Sequence, residues 1–399
     1  YTLFNPSYDP EIPYDPADPA TWPLTPGADC SESGGFTGAI SFEAVLGPDT
    51  GFYCGYAYGL VATSRAGLER INTWVSADYQ LTDSVELYTD VLISQIDSFG
   101  RWAPPAFEGA PLPGDPRNDI GATYGYFRLV ELGPRDSRVT DNLTDINIGA
   151  RGEFAESVSW ETYYTYSDYV STGIGTGFPS LAGQAYNIHN GIDDPDTFIA
   201  NMQATVVRDF RQNLQKLYAG MQFDLFDLPG GPVTAYVGGE FFKVDWHMIG
   251  DAQSQAGLIG SGVHGPNVQA NRDVMAVFAE AVLPLFDWWE IDLALRYDDY
   301  SDFGSATSPR IGTVLRLPFY EALRFKASWG AGFRAPNLRS MYGFTGVEFD
   351  SLKQDFYGCE LNGIALEDCY WVPMDIYSGA NPDLQAENSE SWSVGLDWQ

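Results

Sequence analysis

Basic residues are the first scarcity. The 399-residue chain carries 21 Lys and Arg against 54 Asp and Glu, a formal net charge of −33. That balance excludes nucleic acid as a partner, because phosphates are repelled. Long apolar runs are missing too. No stretch of about 18 apolar residues occurs, so no transmembrane helix is predicted. Histidine is limited to His189, His247 and His264, all far from any cysteine, which excludes a Cys/His zinc site. No helix-period segment of convincing length is present. Catalytic signatures are absent: there is no Gly-x-Ser-x-Gly, no His-Glu-x-x-His and no phosphate loop. Acidic pairs such as Asp193-Asp194 and Asp298-Asp299 are too numerous to single out a glycosidase couple. No enzyme is predicted. No basic, apolar, then small-residue leader opens the sequence. It starts with "YTLFNPSYDPEIPYDP", from which we expect the true N-terminus to lie upstream.

What is there is apolar and aromatic. Hydrophobic residues make up 44% of the chain, enough to exclude disorder despite the acidity. Four cysteines fall into two local couples, Cys30 with Cys54 and Cys359 with Cys369. Short loops close most easily, so two loop-stapling disulfides are predicted, and with them an oxidising compartment. Four free thiols are the alternative.

A hairpin unit recurs along the chain. Alternating runs of about ten residues flank a short turn. In "ERINTWVSADYQLTDSVELYTDVLISQ", Ile71, Thr73, Val75, Ala77 and Tyr79 share a face that Val85, Leu87, Thr89, Val91 and Ile93 continue. Four more units follow, over 144–169, 214–246, 274–303 and 309–334. A final run places Trp392, Val394, Leu396 and Trp398 on one side. Turns within units are short, whereas the connections 96–143, 169–211, 247–272 and 335–388 are long. One end of the sheet is therefore trimmed and the other elaborated. Residues 1–67, whose first 64 positions hold no Lys or Arg, read as one such excursion.

The second face carries charge in bulk: Glu86, Asp90, Arg151, Glu153, Glu290, Asp292, Arg296 and Asp298, then the cations Arg310, Arg316, Arg324, Lys326 and Arg334. An apolar face about ten residues long per strand matches a tilted bilayer crossing. Trp160, Tyr164, Tyr166, Trp246, Trp288, Trp289 and Trp398 are expected in the interfacial girdles. In hydrocarbon, unpaired edges have no water to satisfy them, so such a sheet must close. The predicted fold is an all-β, transmembrane antiparallel barrel with long extracellular loops and cations lining a hydrated lumen. Proline cannot donate to a ladder, so Ala335-Pro336 ends the strand from Leu323 to Arg334.

Three segments, "RYDDYSDFGSATSPRIGTVLRLP" (296–318), "LRFKASWGAGFRAPNLRSMY" (323–342) and "NPDLQAENSESWSVGLDW" (381–398), resemble the barrel domain of TonB-dependent outer-membrane receptors. The resemblance implies a barrel of about 22 strands with a plugged lumen. It implies ligand capture at extracellular loops, and import driven through the plug by the inner-membrane TonB complex. Outer-membrane lipid and lipopolysaccharide would surround it. Roughly eleven strand candidates are counted, so residues 1–399 are expected to be an interior part of a longer barrel chain, with plug and terminal strands elsewhere. Gly332, Arg334, Pro336 and Asn337 are expected to position a strand end.

Ligand contacts are expected at the loop apices, on Tyr8, Tyr14, Trp22, Trp102, Phe107, Tyr342, Phe344, Phe356, Tyr370 and Trp371. These rings either stack on sugars or apolar parts of a chelate, or pack the loops on one another. Asp9, Glu11, Asp15 and Asp18 form either a Ca²⁺ site of hard oxygen ligands or a solvated acidic loop. No other cofactor is expected. Three functions stay open: active uptake of a small molecule or glycan, a passive porin, and a secreted soluble β-rich carbohydrate-binding protein.

Overall fold

Strict alternation over five hairpins dictates a meander, and a meander is what forms. The computed structural model describes residues 2–4, 6–7, 9, 11–13, 15, 17–18, 21–26, 36–41, 52–109, 125–155, 158–260, 267–318, 320, 322–343, 346–365, 367, 369 and 371–398. Eleven strands pair antiparallel in one sheet, each with its neighbours in the chain. They are β1 (Gly67–Thr82), β2 (Val85–Trp102), β3 (Arg135–Ala155), β4 (Val158–Pro179), β5 (Gln203–Leu228) and β6 (Gly231–Gly250). β7 (Val268–Phe286), β8 (Trp289–Tyr300), β9 (Gly304–Arg316), β10 (Leu323–Arg334) and β11 (Glu387–Trp398) complete it.

Register keeps the two faces apart across the sheet. Val158, Phe223, Ala235, Ala281, Leu293, Ile311, Trp329 and Trp392 are successive cross-strand partners on one face. Glu86, Arg151, Glu161, Gly220, Gly238, Phe278, Arg296 and Ser308 are partners on the other. On the first face Leu217, Phe241, Met275 and Val277 are 50–54% exposed. A soluble sheet would cover such a band; contiguous bare apolar surface of this height matches lipid. In β5 the band runs from Leu217 to Leu225, about the nine residues a tilted crossing needs. No helix is long and apolar enough to cross a membrane among the described residues.

The strands outrun the expected ten residues. β3, β4 and β5 are 21, 22 and 26 residues long. Above the band both faces turn polar, so the alternation fades from the sequence, yet backbone pairing continues towards the long-loop rim. At the short-turn rim Phe286 stacks on Trp288 (5.3 Å), Trp288 on Trp289 (6.1 Å), and Tyr320 meets Trp398 edge-on (6.4 Å). This girdle is as expected. Trp246 is not part of a girdle: it is 4% exposed, on the charged face, packed against Ala270 and Leu338. Its position has the opposite parity from outward Phe241, which sends it inward.

Glycines shape the inner wall. A Cβ on Gly238 would lie 2.5 Å from the Phe278 ring, and one on Gly149 would enter the Tyr88 ring. These rings lean over bare backbone on the neighbouring strand. Cations then cover them: Arg151 over Tyr88 (5.1 Å), Lys216 over Tyr218 (5.8 Å) and Arg296 over Phe278 (5.6 Å). Carboxylates hold the cations, with Glu240 accepting from Lys216 (2.6 Å) and Arg296 (2.5 Å), and Asp298 from Arg296 (2.7 Å). Each layer buries the one beneath it, which is how so much charge sits on one face of a membrane sheet.

Candidate functional site: the long-loop rim and the mouth of the lumen

Two loops from different hairpins clasp each other at the long-loop rim. The β4–β5 connection carries helices α1 (Leu181–His189) and α2 (Pro195–Met202); the β6–β7 connection carries the short α3 (Ala252–Gln255). Ser180 caps α1 by accepting from the Gly183 N–H (3.1 Å), and its hydroxyl donates to Gln253 Oε1 (2.7 Å) on the other loop. Backbone bonds reinforce the link: the Leu181 N–H donates to the Leu258 carbonyl and the Gly260 N–H to the Pro179 carbonyl, both at 2.8 Å. Beneath α1, buried Asn187 donates to the Phe198 carbonyl (2.8 Å) and accepts from Asn201 (2.6 Å). Met202 and Ile259 close the small core.

Asp251 fastens the second loop. Its carboxylate accepts from Ser254 Oγ (2.7 Å) and from the N–H groups of Ser254, Gln253 and Val207, each at 3.0 Å. Partial burial works against the charge, but these hydrogen bonds outweigh it and hold the carboxyl below its usual value of 3.8. A depressed value means the stabilisation is complete above about 3.8 and drains as pH falls through the lower folded value. Amide exchange of Val207, Gln253 and Ser254 is therefore expected to stay slow at neutral and mildly acid pH and to accelerate below the normal carboxylate range. Asp251→Asn should show fast exchange at every pH.

A second element folds inward. After β10 the chain passes Ala335-Pro336 and forms α4 (Leu338–Tyr342), capped by Asn337, whose Oδ1 accepts from the Ser340 N–H (2.7 Å). Leu338 lies on Trp246 and Ala270 of the inner wall, with Phe210 and Tyr342 beside it. Arg272, 7% exposed, fixes this arrangement. Its guanidinium donates to both oxygens of Asp302 (2.7–2.9 Å) and to the Pro336 carbonyl (2.8 Å), and lies over the rings of Tyr300 and Phe303. Two of the three segments that carried the family resemblance, Tyr-Asp-Asp-Tyr-Ser-Asp-Phe and Phe-Arg-Ala-Pro, thus meet at one arginine. Arg272 itself lies outside all three segments, and nothing local marked it.

The structure disperses the sequence candidates. Trp22 is buried, its indole N–H donating to the Asp15 carbonyl (2.9 Å). Tyr342 packs on the inner wall, whereas Trp102 and Phe356 are exposed. Tyr8, Tyr14, Phe344 and Tyr370 lie outside the described residues. So do the side chains of Phe107 and Trp371, whose backbones are in short strands Ala106–Gly109 and Trp371–Ser378. Cys359 and Cys369 form the expected disulfide, stapling the helix α5 (Phe356–Leu361); Cys30 lies outside the described residues. Asp9 Oδ1 accepts from the Glu11 N–H and Asp15 Oδ1 from the Ala17 N–H, so these two acids are engaged in local turns. Among the described residues no three acidic, His or Cys side chains converge as a metal site.

The cations of the last strands share the inner face. Arg316 stands opposite Arg324, and Arg310 opposite Gly330. Lys326 pairs with Asp397, and Arg334 reaches Glu387 at 3.6 Å. Sequence reasoning missed Arg272, Asp302 and the clasp residues. For the clasp, the Asp194-Pro195 and Asp251-x-x-Ser254 patterns were usable helix-start signals.

An antiparallel meander with a bare apolar band, a charged inner face, one trimmed rim and one elaborated rim defines an outer-membrane β-barrel protein. Residues 62–399 match the family model described as TonB dependent receptor-like, beta-barrel, and the chain belongs to that family. It is a barrel portion of a bacterial outer-membrane protein of that family. It is 33% identical over 95 residues to the vitamin B12 transporter BtuB of Vibrio cholerae serotype O1, covering 22% of this chain and 15% of that protein. Its fold matches the structure of the RagAB peptide transporter with a TM-score of 0.51 and 13% identity, over 83% of this chain and 38% of the other. The siderophore receptor PirA from Acinetobacter baumannii matches with a TM-score of 0.37 and 12% identity, over 89% of this chain and 53% of the other. The chain spans well under two thirds of each of these relatives.

Proposed function

We propose that this chain forms part of a TonB-dependent transporter that captures a scarce solute at its outer mouth and imports it. The energy would come from the inner-membrane TonB complex. The observation that carries the reading is the mouth: α4 folds inward onto the lumen wall, and two loops are locked together above it. A receptor needs loops that hold side chains in place, and the two hydrogen-bonded loops supply that. The named relatives supply the solute classes to test, a cobalamin, a peptide and a siderophore. A neutral glycan joins them on the strength of the aromatic loops. We further propose that the eleven strands are an interior section of a larger closed barrel, since β1 and β11 each pair on one side only among the described residues.

The test is uptake of radiolabelled solutes by cells carrying the full-length protein, with and without an intact TonB complex and with a proton-gradient uncoupler. Uptake should vanish in both deprived states. Uptake that persists there would support the passive porin and end the active reading.

A further inference from the structure

The structure assigns Arg316, Arg324 and Lys326 to a binding site for an anionic group, a carboxylate or a phosphate, of a solute inside the lumen at the trimmed rim. The site does not depend on how transport is powered. Arg316 ends β9, and Arg324, second in β10, lies directly opposite it in the register. The short turn fixes that pairing: the Leu317 N–H donates to the Leu323 carbonyl (3.3 Å), closing the hairpin one step below. The next pair up, Leu315 with Phe325, belongs to the outward apolar face, so a one-residue slip would carry cations towards lipid. Register therefore holds both guanidinium groups on the lumen side, with β-carbons about 4.5–5.5 Å apart. Lys326 follows two positions on along the same face.

An opposed pair of cations sets this place apart. Other arginines lack a carboxylate partner among the described residues, but they face neutral side chains: Arg70 faces Ile96, Arg138 faces Phe99 and Ile174, and Arg310 faces Ala294 and Gly330. Among the described residues, Arg316–Arg324 is the one register pair of the eleven-strand sheet that sets Arg or Lys opposite Arg or Lys. Like charges directly opposite each other destabilise a sheet. Asp397, opposite Arg324 on β11, has its carboxylate engaged by Lys326. Three cations thus share one carboxylate, and an anion from outside supplies the missing charge. Room for it is present: Gly395 faces Lys326 across the β10–β11 ladder, and a Cβ there would meet nothing within 4 Å. Two planar guanidinium forks suit the paired oxygens of a carboxylate or a phosphate. Screening over about 8 Å at physiological salt keeps the distant acids behind the net charge of −33 from governing this spot.

The experiment is calorimetric titration of the detergent-purified full-length protein with inorganic pyrophosphate and, separately, with malonate, at low and high salt. Saturable binding that weakens with salt is expected. Arg316→Gln or Arg324→Gln should each weaken it about tenfold, and the double variant should abolish it. Arg316→Lys, which keeps the charge but not the fork, should bind more weakly than wild type and more tightly than Arg316→Gln. Pyrophosphate should also raise the urea midpoint of refolded wild type and leave that of the double variant unmoved. Arg310→Gln, on the same face about 20 Å up β9, should bind like wild type. Wild-type protein that binds neither anion, or a double variant that binds like wild type, overturns the site. So does Arg310→Gln weakening binding as much as Arg316→Gln, which would show diffuse attraction to a basic wall.

Discussion

Arg272→Met is expected to cost about 3–5 kcal/mol of folding stability, the range for removing one partner of a buried ion pair. Asp302, with a side chain 6% exposed, would be left as an uncompensated charge in the wall. The Pro336 carbonyl would lose its 2.8 Å donor at the point where the chain turns inward. Tyr300 and Phe303 would lose the cation between them. The penalty is that of stranding a charge rather than the net worth of the pair. Arg272→Met combined with Asp302→Leu should therefore recover much of the loss. Urea titrations of the refolded protein, followed by tryptophan fluorescence, report both changes. A neutral single substitution would show that Arg272 does not hold α4, the β8–β9 turn and the wall together.

The second large effect concerns sidedness. Leu293 lies in the middle of the outward apolar run of β8, between Ala281 and Ile311 in the register. Leu293→Arg places a charge near the centre of the hydrocarbon and is expected to cost about 2–4 kcal/mol. Gln222→Arg, on the inner face between Ser159 and Tyr236, faces the polar lumen and should cost less than about 1 kcal/mol. Refolding into lipid vesicles along a urea series measures both. Equal penalties would mean that the two faces see the same medium, and the membrane assignment of the sheet would fail.

Legibility followed distance along the chain. All five hairpins and the lone last strand could be read because their apolar residues alternate over neighbouring positions. Strand ends could not: above Leu217, β5 turns to Asn213 and Arg211 on its outer face, and the pattern stops reporting on pairing that continues. Trp246 was misplaced by reading an aromatic near a strand end as an interfacial ring. Its parity against Phe241 contained the correction. Cys359 and Cys369, ten residues apart, were paired from loop closure alone.

The candidate site was far less legible. Arg272, Asp302 and Pro336 are separated by 30 and 34 positions, and no local period connects them. The Ser180–Gln253 contact joins residues 73 apart. Aromatic loop residues such as Trp22 and Tyr342 looked available in sequence because solvent exposure leaves no local mark.

The amino-acid order alone determined the two-faced strands, their hairpin pairing and the medium each face requires, because a two-residue period and hydrophobicity act between neighbours. Folding decided which charges are compensated and which rings are covered. Those outcomes depend on residues brought together across the sheet, by register and by an inward-turning loop, from positions that share no local pattern.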